Sequence, residues 1–372
     1  MNILVITNCD PYEYLGSGYV INRFAEGLRA RGHQVDVFGP EKMEISSLLG
    51  SLGYQYKLAW AMRKKVQEIL TKQPGYYHIV EFYGGEASLA MQWLAKQKHR
   101  PSMVHHTNGP EIKYLALRAQ LMGEENRFGW QTQLKQRFLA PSFQTPDGIV
   151  TVSQDDEDWL RAAGLPKSGP VKAILPALPD EYLGQQVQAW EKRPKVIGFC
   201  GTWLPKKGIA MMQQDLPDFL RSNPEWTFRI IGAKPDFNPG NYFPTDLLPQ
   251  IEVIPFLKSK EELMAQYRGI RILIVPSLIE SFGLVIAEAM SAGALVAVTK
   301  VGLATSLKDG QEAYIIAEKK SPHLRHTLDR AMQSAEQNAA IAQRGYEFIN
   351  QLTWAQGAEQ LERFYHTLRP TL

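Results

Sequence analysis

Two carboxylates, Glu280 and Glu288, interrupt the stretch ESFGLVIAEAM, in which every other residue from Phe282 onward is apolar or small. A carboxylate enclosed by apolar side chains costs several kcal/mol unless something pairs with it or donates to it. Vicinal sugar hydroxyls meet that need, because each can donate to a carboxylate oxygen. The backbone N–H groups of Ser281, Phe282, Gly283 and Leu284, at the start of the helix this stretch predicts, offer donors to an anion such as phosphate. A structural alternative stays open for the pair, with Glu280 facing the helix dipole and Glu288 bridging to an Arg or Lys.

Three other segments carry residues fit for chemistry. GTWLPKKGI, residues 201 to 209, places Lys206 and Lys207 just beyond an apolar run, where a phosphate would lie; a solvated lysine pair in a turn is the plainer alternative. GSGYV puts Gly16 and Gly18 after the first apolar run, where bare backbone can approach a phosphate or a sugar. It is not the dinucleotide fingerprint, since position 21 is Ile and Asp36 lies inside VDVF. VHHTNGPE sets His106 and Asn108 at a predicted strand end, with ordinary packing as the alternative for His106. His33, in the turn RGHQV, reads as structural.

The elements that must position these residues follow one grammar, repeated twice. NILVIT reads as a buried strand, GYVINRFAEGLRARG as a helix with Val20, Ile21, Phe24, Ala25 and Leu28 on one face, and QVDVFG as a second strand. HIVEFYG, PSMVHHTNG and DGIVTVSQ continue the pattern, and KVIGFCG restarts it, followed by FRIIGA, IEVIPF, IRILIVPS and ALVAVT. Strands alternating with helices predict parallel sheets, hence an α/β chain of two doubly wound domains. LPALPDEYLGQQVQAWEKRPK, with three prolines and no clear period, reads as the linker and sets the boundary at residue 185, giving domains 1–185 and 186–352. A last helix, 353–372, offers Trp354, Leu361, Phe364, Tyr365 and Leu368 for packing. In open parallel sheets ligands sit beyond the carboxyl ends of the strands, so the loops named above are where chemistry is expected.

Composition sets the outer bounds. A chain of 372 residues exceeds the size at which a single core stops growing. With 41 basic against 38 acidic residues, the net charge of +3 gives no argument for a nucleic-acid partner. The two cysteines, Cys9 and Cys200, lie far apart at the ends of two predicted strands, which suits free thiols and a cytoplasmic setting. No segment approaches the ~20 apolar residues of a bilayer span, so membrane contact would be peripheral. The segment 52–72, LGYQYKLAWAMRKKVQEILTK, is a basic amphipathic helix with Trp60 beside Arg63, Lys64 and Lys65, a type that can lie on anionic lipid; a solvated helix face is the alternative.

PSLIESFGLVIAEAMSAGALVAVTKVG resembles the donor-binding signature of retaining glycosyltransferase family 4, whose two glutamates have this spacing. The resemblance covers nearly the whole chain. It implies the GT-B fold, two Rossmann-like domains around a cleft, with the closing LTW helix crossing back onto the first. By resemblance, Glu280 contacts the transferred sugar and Glu288 the nucleotide ribose. GTWLPKKG resembles the family's Gly-Arg-Leu-x-x-x-Lys-Gly element, so Lys207 neutralises the departing phosphate; Thr202 stands where Arg is usual, which leaves Lys207 and the helix amides to carry the charge. Gly16 and Gly18 correspond to a glycine-rich loop facing the donor. Aligned on Gly109, Asn108 takes the position of the family's first-domain histidine, with His106 two residues earlier. ILPALPDEYL matches Pro-Asn-Gly-x-Asp at Pro176 and Asp180 but has Ala177 and Leu178 between.

The resemblance therefore implies a metal-independent, retaining hexosyltransferase without a cofactor, drawing on a nucleotide diphosphate sugar, UDP-linked by family frequency. The departures at Thr202, Asn108 and Ala177 keep a rival from another class, a non-catalytic GT-B scaffold or binding subunit. An epimerase or phosphorylase on the same architecture is a third reading.

Overall fold

A computed structural model of the chain describes residues 1–11, 16–45, 53–122 and 129–368. It divides into two units, Met1–Pro176 with Thr353–Leu372, and Ala177–Leu352.

The first unit is built on six parallel strands, β1 (Asn2–Ile6), β2 (Gln34–Phe38), β3 (Ile79–Tyr83), β4 (Ser102–Thr107), β5 (Gly148–Thr151) and β6 (Val171–Ala173), in the order β2-β1-β3-β4-β5-β6. The central strands β3, β4 and β5 are buried at every residue, as expected of a sheet covered on both faces. The helix Gly16–Ala30 buries Val20, Ile21, Phe24, Ala25 and Leu28, the face its period predicts.

The closing helix, Trp354–Thr367, packs on the helix Gly16–Ala30 through small residues. A side chain at Gly27 would come within 2.6 Å of Ala358 Cβ, and Gly357 faces Phe24 at 3.2 Å. Trp354 then meets Phe24 edge-on, with ring centroids 5.4 Å apart.

The second unit repeats the plan with β7 (Val196–Cys200), β8 (Thr227–Ala233), β9 (Ile251–Pro255), β10 (Ile272–Val275), β11 (Leu295–Thr299) and β12 (Tyr314–Ile316), ordered β12-β11-β10-β7-β8-β9 and parallel throughout. The chain runs outward from β7 to β9 on one side and then restarts at β10 on the other. The β7/β10 pair is therefore the switch point, where open α/β sheets bind ligands. The segments following these two strands are GTWLPKKG and PSLIESFG.

The division falls at Pro176 rather than at residue 185. Segment 177–185 belongs to the second unit because it is tied there: Tyr182 is buried with its hydroxyl donating to Lys260 O at 3.4 Å, and Gly184 N donates to Asn350 Oδ1 at 2.6 Å. Cys9 and Cys200 are both free thiols.

Candidate functional site

Gly208 is the residue that fixes the lysine-bearing turn. Its φ is +76°, and a Cβ there would lie 1.9 Å from Pro276 O, so only glycine lets the turn close against the strand end. Leu278 N donates to Lys206 O at 2.8 Å and locks the two segments further. The consequence is a short ion pair, Lys207 Nζ to Glu280 Oε2 at 2.7 Å, between side chains only 17% and 18% exposed.

Beyond Glu280 the helix runs Leu284–Ser291, two residues later than the predicted start at Phe282. Gly283 takes φ +88° at the N-cap and turns the chain into the helix, while Phe282 O accepts from Leu303 N at 2.7 Å and belongs to the preceding loop. Ile286 N already donates to Gly283 O at 2.9 Å, so the amides of Leu284 and Val285 are the first-turn donors left beside the Lys207–Glu280 pair. Glu288 lies one turn inside, and the Tyr267 hydroxyl donates to its Oε2 at 2.8 Å. Burial pushes the Glu288 carboxyl above the usual carboxylate range, while Tyr267 and the Lys260 charge act the other way. Cys200, the last residue of β7, lies within reach of Tyr267, and burial pushes its thiol up to about 12. Thr202 is exposed beside Gly201. The structure thus brings Glu280, Glu288, Lys207 and the segment Ser281–Leu284 to one switch point within one unit.

The first-unit residues fare differently. His106 is fully buried in β4, with Nδ1 2.8 Å from Glu81 Oε1 and 2.7 Å from the Tyr83 hydroxyl, and its ring stacks on Tyr83. Its expected place at an accessible strand end is corrected: it is a core residue here, because β4 runs on through Thr107. Asn108 follows the strand, with an enclosed Oδ1 that has no hydrogen-bond partner among the described residues. Gly16 and Gly18 form no loop; both lie in the first turn of the helix Gly16–Ala30, Gly16 with φ +57° and Gly18 buried. Residues 12–15, just before them, lie outside the described residues.

Sequence reasoning missed a second polar cluster at the carboxyl end of this sheet. Glu86 Oε2 accepts from Asn8 Nδ2 at 2.9 Å, and Glu111 Oε1 accepts from Gly85 N at 3.1 Å. Glu111 Oε2 is enclosed without a partner among the described residues. Burial, with the Glu86 charge adding to it, pushes Glu111 up to about 7. The signal was present in FYGGEAS and TNGPE, where a glutamate follows a strand and a glycine. A groove of about 910 Å³ lined by Met1, His78, Arg100 and Tyr365 lies at the opposite, amino end of the same strands.

Two family descriptions match the chain in tandem, "Glycosyl transferase 4-like domain" over residues 16–172 and "Glycosyl transferases group 1" over 184–348. The chain belongs to the GT4-type glycosyltransferases. Among curated relatives of this glycosyltransferase, the D-inositol 3-phosphate glycosyltransferase of Corynebacterium efficiens is 29% identical over 46% of this chain and 42% of its own. The chain thus spans less than half of that relative. The phosphatidyl-myo-inositol mannosyltransferase of Mycobacterium leprae is 22% identical over 96% of this chain and 95% of its own.

Among solved structures, sucrose-phosphate synthase from Thermosynechococcus elongatus superposes with a TM-score of 0.74 at 18% identity, over 99% of both chains. An Anabaena protein in complex with UDP and glucose gives 0.65 at 16%, over 98% of this chain and 99% of the other. With its two six-stranded parallel sheets, this glycosyltransferase has the GT-B fold.

Proposed function

We propose that this chain transfers a hexosyl group from a nucleotide diphosphate sugar to an acceptor hydroxyl, with retention at the anomeric carbon. The observation that carries the reading is the Lys207–Glu280 pair at the β7/β10 switch point, with Glu288 one helical turn away. Glu288 accepts from the ribose hydroxyls and Glu280 from the sugar. Lys207 and the amides at Ser281 to Leu284 take the diphosphate. Binding then exchanges one desolvated ion pair for a lysine–phosphate contact and a carboxylate–hydroxyl contact, so neither charge is left bare.

In the transfer, the bond between the anomeric carbon and the phosphate oxygen breaks, and one forms between that carbon and the acceptor oxygen. The acceptor proton ends on the departing phosphate, which leaves from the same face. Charge grows on that phosphate, and a fixed cation in a partly desolvated site stabilises it most effectively. Lys207 supplies the cation, and no metal or cofactor enters the proposal. Thr202 adds no charge, so stabilisation rests on a point charge rather than an arginine fork. We assign Asn108, in the loop after β4 of the first unit, to the acceptor. The UDP-bound Anabaena protein of the same fold supports uracil as the first base to try.

Thermal stability with UDP, GDP and ADP tests the reading, for the native chain and Glu288→Ala. A ligand at 100 times its dissociation constant adds about 2.7 kcal/mol to the folded state that binds it. One nucleotide should raise the midpoint of the native chain and leave the variant unmoved. No shift with any nucleotide would return the non-catalytic scaffold reading to first place.

A peripheral membrane role belongs to this proposal as well. The helix Tyr54–Lys72 buries Leu58, Met62 and Val66, while Trp60 is 61% exposed with the Arg63 guanidinium 5.2 Å from its ring centroid. Tyr54 and Tyr56 are exposed beside it. Aromatic rings beside cations suit an anionic lipid surface. Among the described residues no helix is long and apolar enough to cross a membrane. Flotation with vesicles containing phosphatidylglycerol, for the native chain and Trp60→Glu, checks it; equal recovery of the two would remove the membrane from the reading.

A further inference from the structure

Tyr267 was singled out by no motif, yet it makes the defining contact of the Glu288 carboxylate. It lies in the helix Lys260–Arg268, fully buried, and among the described residues its hydroxyl is the one hydrogen-bond donor on that carboxylate, at 2.8 Å from Oε2. The charged and titratable groups facing Glu288 are Tyr267 and Lys260 from that helix and Cys200 from the end of β7, with Lys207 acting on Cys200 in turn. Burial keeps the Cys200 thiol protonated, and the one proton of the Tyr267 hydroxyl goes to Glu288.

The distance between the helices that carry Tyr267 and Glu288 is itself fixed. Arg193 is 1% exposed and donates to three backbone carbonyls, Nη2 to Tyr267 O, Nε to Ile270 O and Nη1 to Ala292 O, each at 2.7 Å. Those carbonyls close the carboxyl ends of both helices, where a cation is favoured. One guanidinium therefore sets Tyr267 against Glu288.

We propose that Tyr267 is a positioning residue for the nucleotide site: its hydroxyl holds Glu288 Oε2 and turns Oε1 to the ribose hydroxyls. This rests on the reading of Glu288 as the ribose ligand. An ionised carboxylate accepts from two hydroxyls, whereas a protonated one has lost part of that capacity. Burial drives Glu288 toward the protonated form, and the Tyr267 hydroxyl is the foremost group opposing it. Removing the hydroxyl moves the Glu288 midpoint upward, so nucleotide binding is lost at a higher pH.

The test is the affinity of whichever of UDP, GDP and ADP binds most tightly, measured by calorimetry from pH 5 to 9 for the native chain, Tyr267→Phe and Glu288→Ala. The phenyl ring keeps the packing and removes only the hydroxyl. Phosphate titration is common to all three proteins and cancels in their ratios. Tyr267→Phe is expected to bind about tenfold more weakly at the acid end, the effect of a midpoint one unit higher, with the gap narrowing toward pH 9.

A purely structural role would give a ratio that does not change with pH, and that result overturns the proposal while leaving the ribose reading in place. Glu288→Ala binding as the native chain does would instead sink the ribose reading and the proposal with it. Should Tyr267→Phe fail to fold, Glu288→Gln is measured against the native chain instead. The amide cannot ionise, so the native chain's advantage over it is expected to grow with pH, and a ratio that does not change with pH is equally fatal.

Discussion

Lys207 and Glu280, 73 residues apart in sequence, meet at 2.7 Å because Gly208 has no side chain to hold their two segments apart. Each group serves as the other's counter-ion, and under the proposed function the donor parts them. Their substitutions should therefore not add. Lys207→Ala is expected to lower transfer by about 10²- to 10³-fold, the usual loss for a donor to developing charge. Glu280→Gln should weaken use of the sugar while sparing the nucleotide. A double-mutant cycle on stability should show a coupling of about 1 kcal/mol; strict additivity would mean the pair is not formed in solution.

Thr202→Arg restores a second cation beside the lysine turn. Thr202 is exposed, so the longer side chain has room. UDP affinity is expected to rise about tenfold at low salt, the gain of a charge-assisted pair, and to fall back as salt screens it. An increase that ignores ionic strength would point to some effect other than charge.

Glu111 should make stability depend on pH. Its folded-state value is raised from the ordinary 4.5 to about 7, so the folded chain holds a proton that the unfolded chain releases. The contribution is fully present below about 4.5 and is lost as pH rises through about 7. Glu111→Gln cannot titrate and should therefore gain on the native chain with rising pH, by roughly 2 to 3 kcal/mol at pH 8 and little at pH 4. Denaturant midpoints that run parallel across that range would show that the carboxyl is solvated.

Arg193→Met should unfold the second unit at a much lower temperature. Three buried carbonyls lose their donors, each worth about 1 to 3 kcal/mol. Arg193→Lys should recover only part, since one ammonium cannot span the three as a planar fork does. Melting curves of the two variants decide it, and equal melting would show that shape rather than hydrogen bonding matters at this site.

What the sequence shows best is what depends on local pattern. The strand-helix alternation, Cys200 at a strand end and the Glu280–Glu288 spacing could be read directly, because each is set within a dozen residues; Cys9 lies three residues past the end of β1. The start of the Leu284 helix was two residues off, because a left-handed Gly283 reads as a helix residue until its φ is known. His106 and Tyr267 were misjudged or missed for one reason: their partners lie 25 and 21 residues away, on other elements. No periodicity records which strand a histidine will face. Glu86 and Glu111 likewise come together only once the sheet order sets β3 beside β4.

The return of Trp354–Thr367 to the helix Gly16–Ala30 gives the chain an unusual calendar. A ribosome delivers residues 1–176 first, yet that unit lacks its closing helix until residue 353 and beyond have emerged. The second unit, contiguous from 177 to 352, is finished earlier in translation than the one synthesised before it. Through that interval Phe24 and Gly27 present an uncovered surface on the nascent chain. Birth order and completion order are reversed, and the half that carries the Lys207–Glu280 pair is the first to be whole.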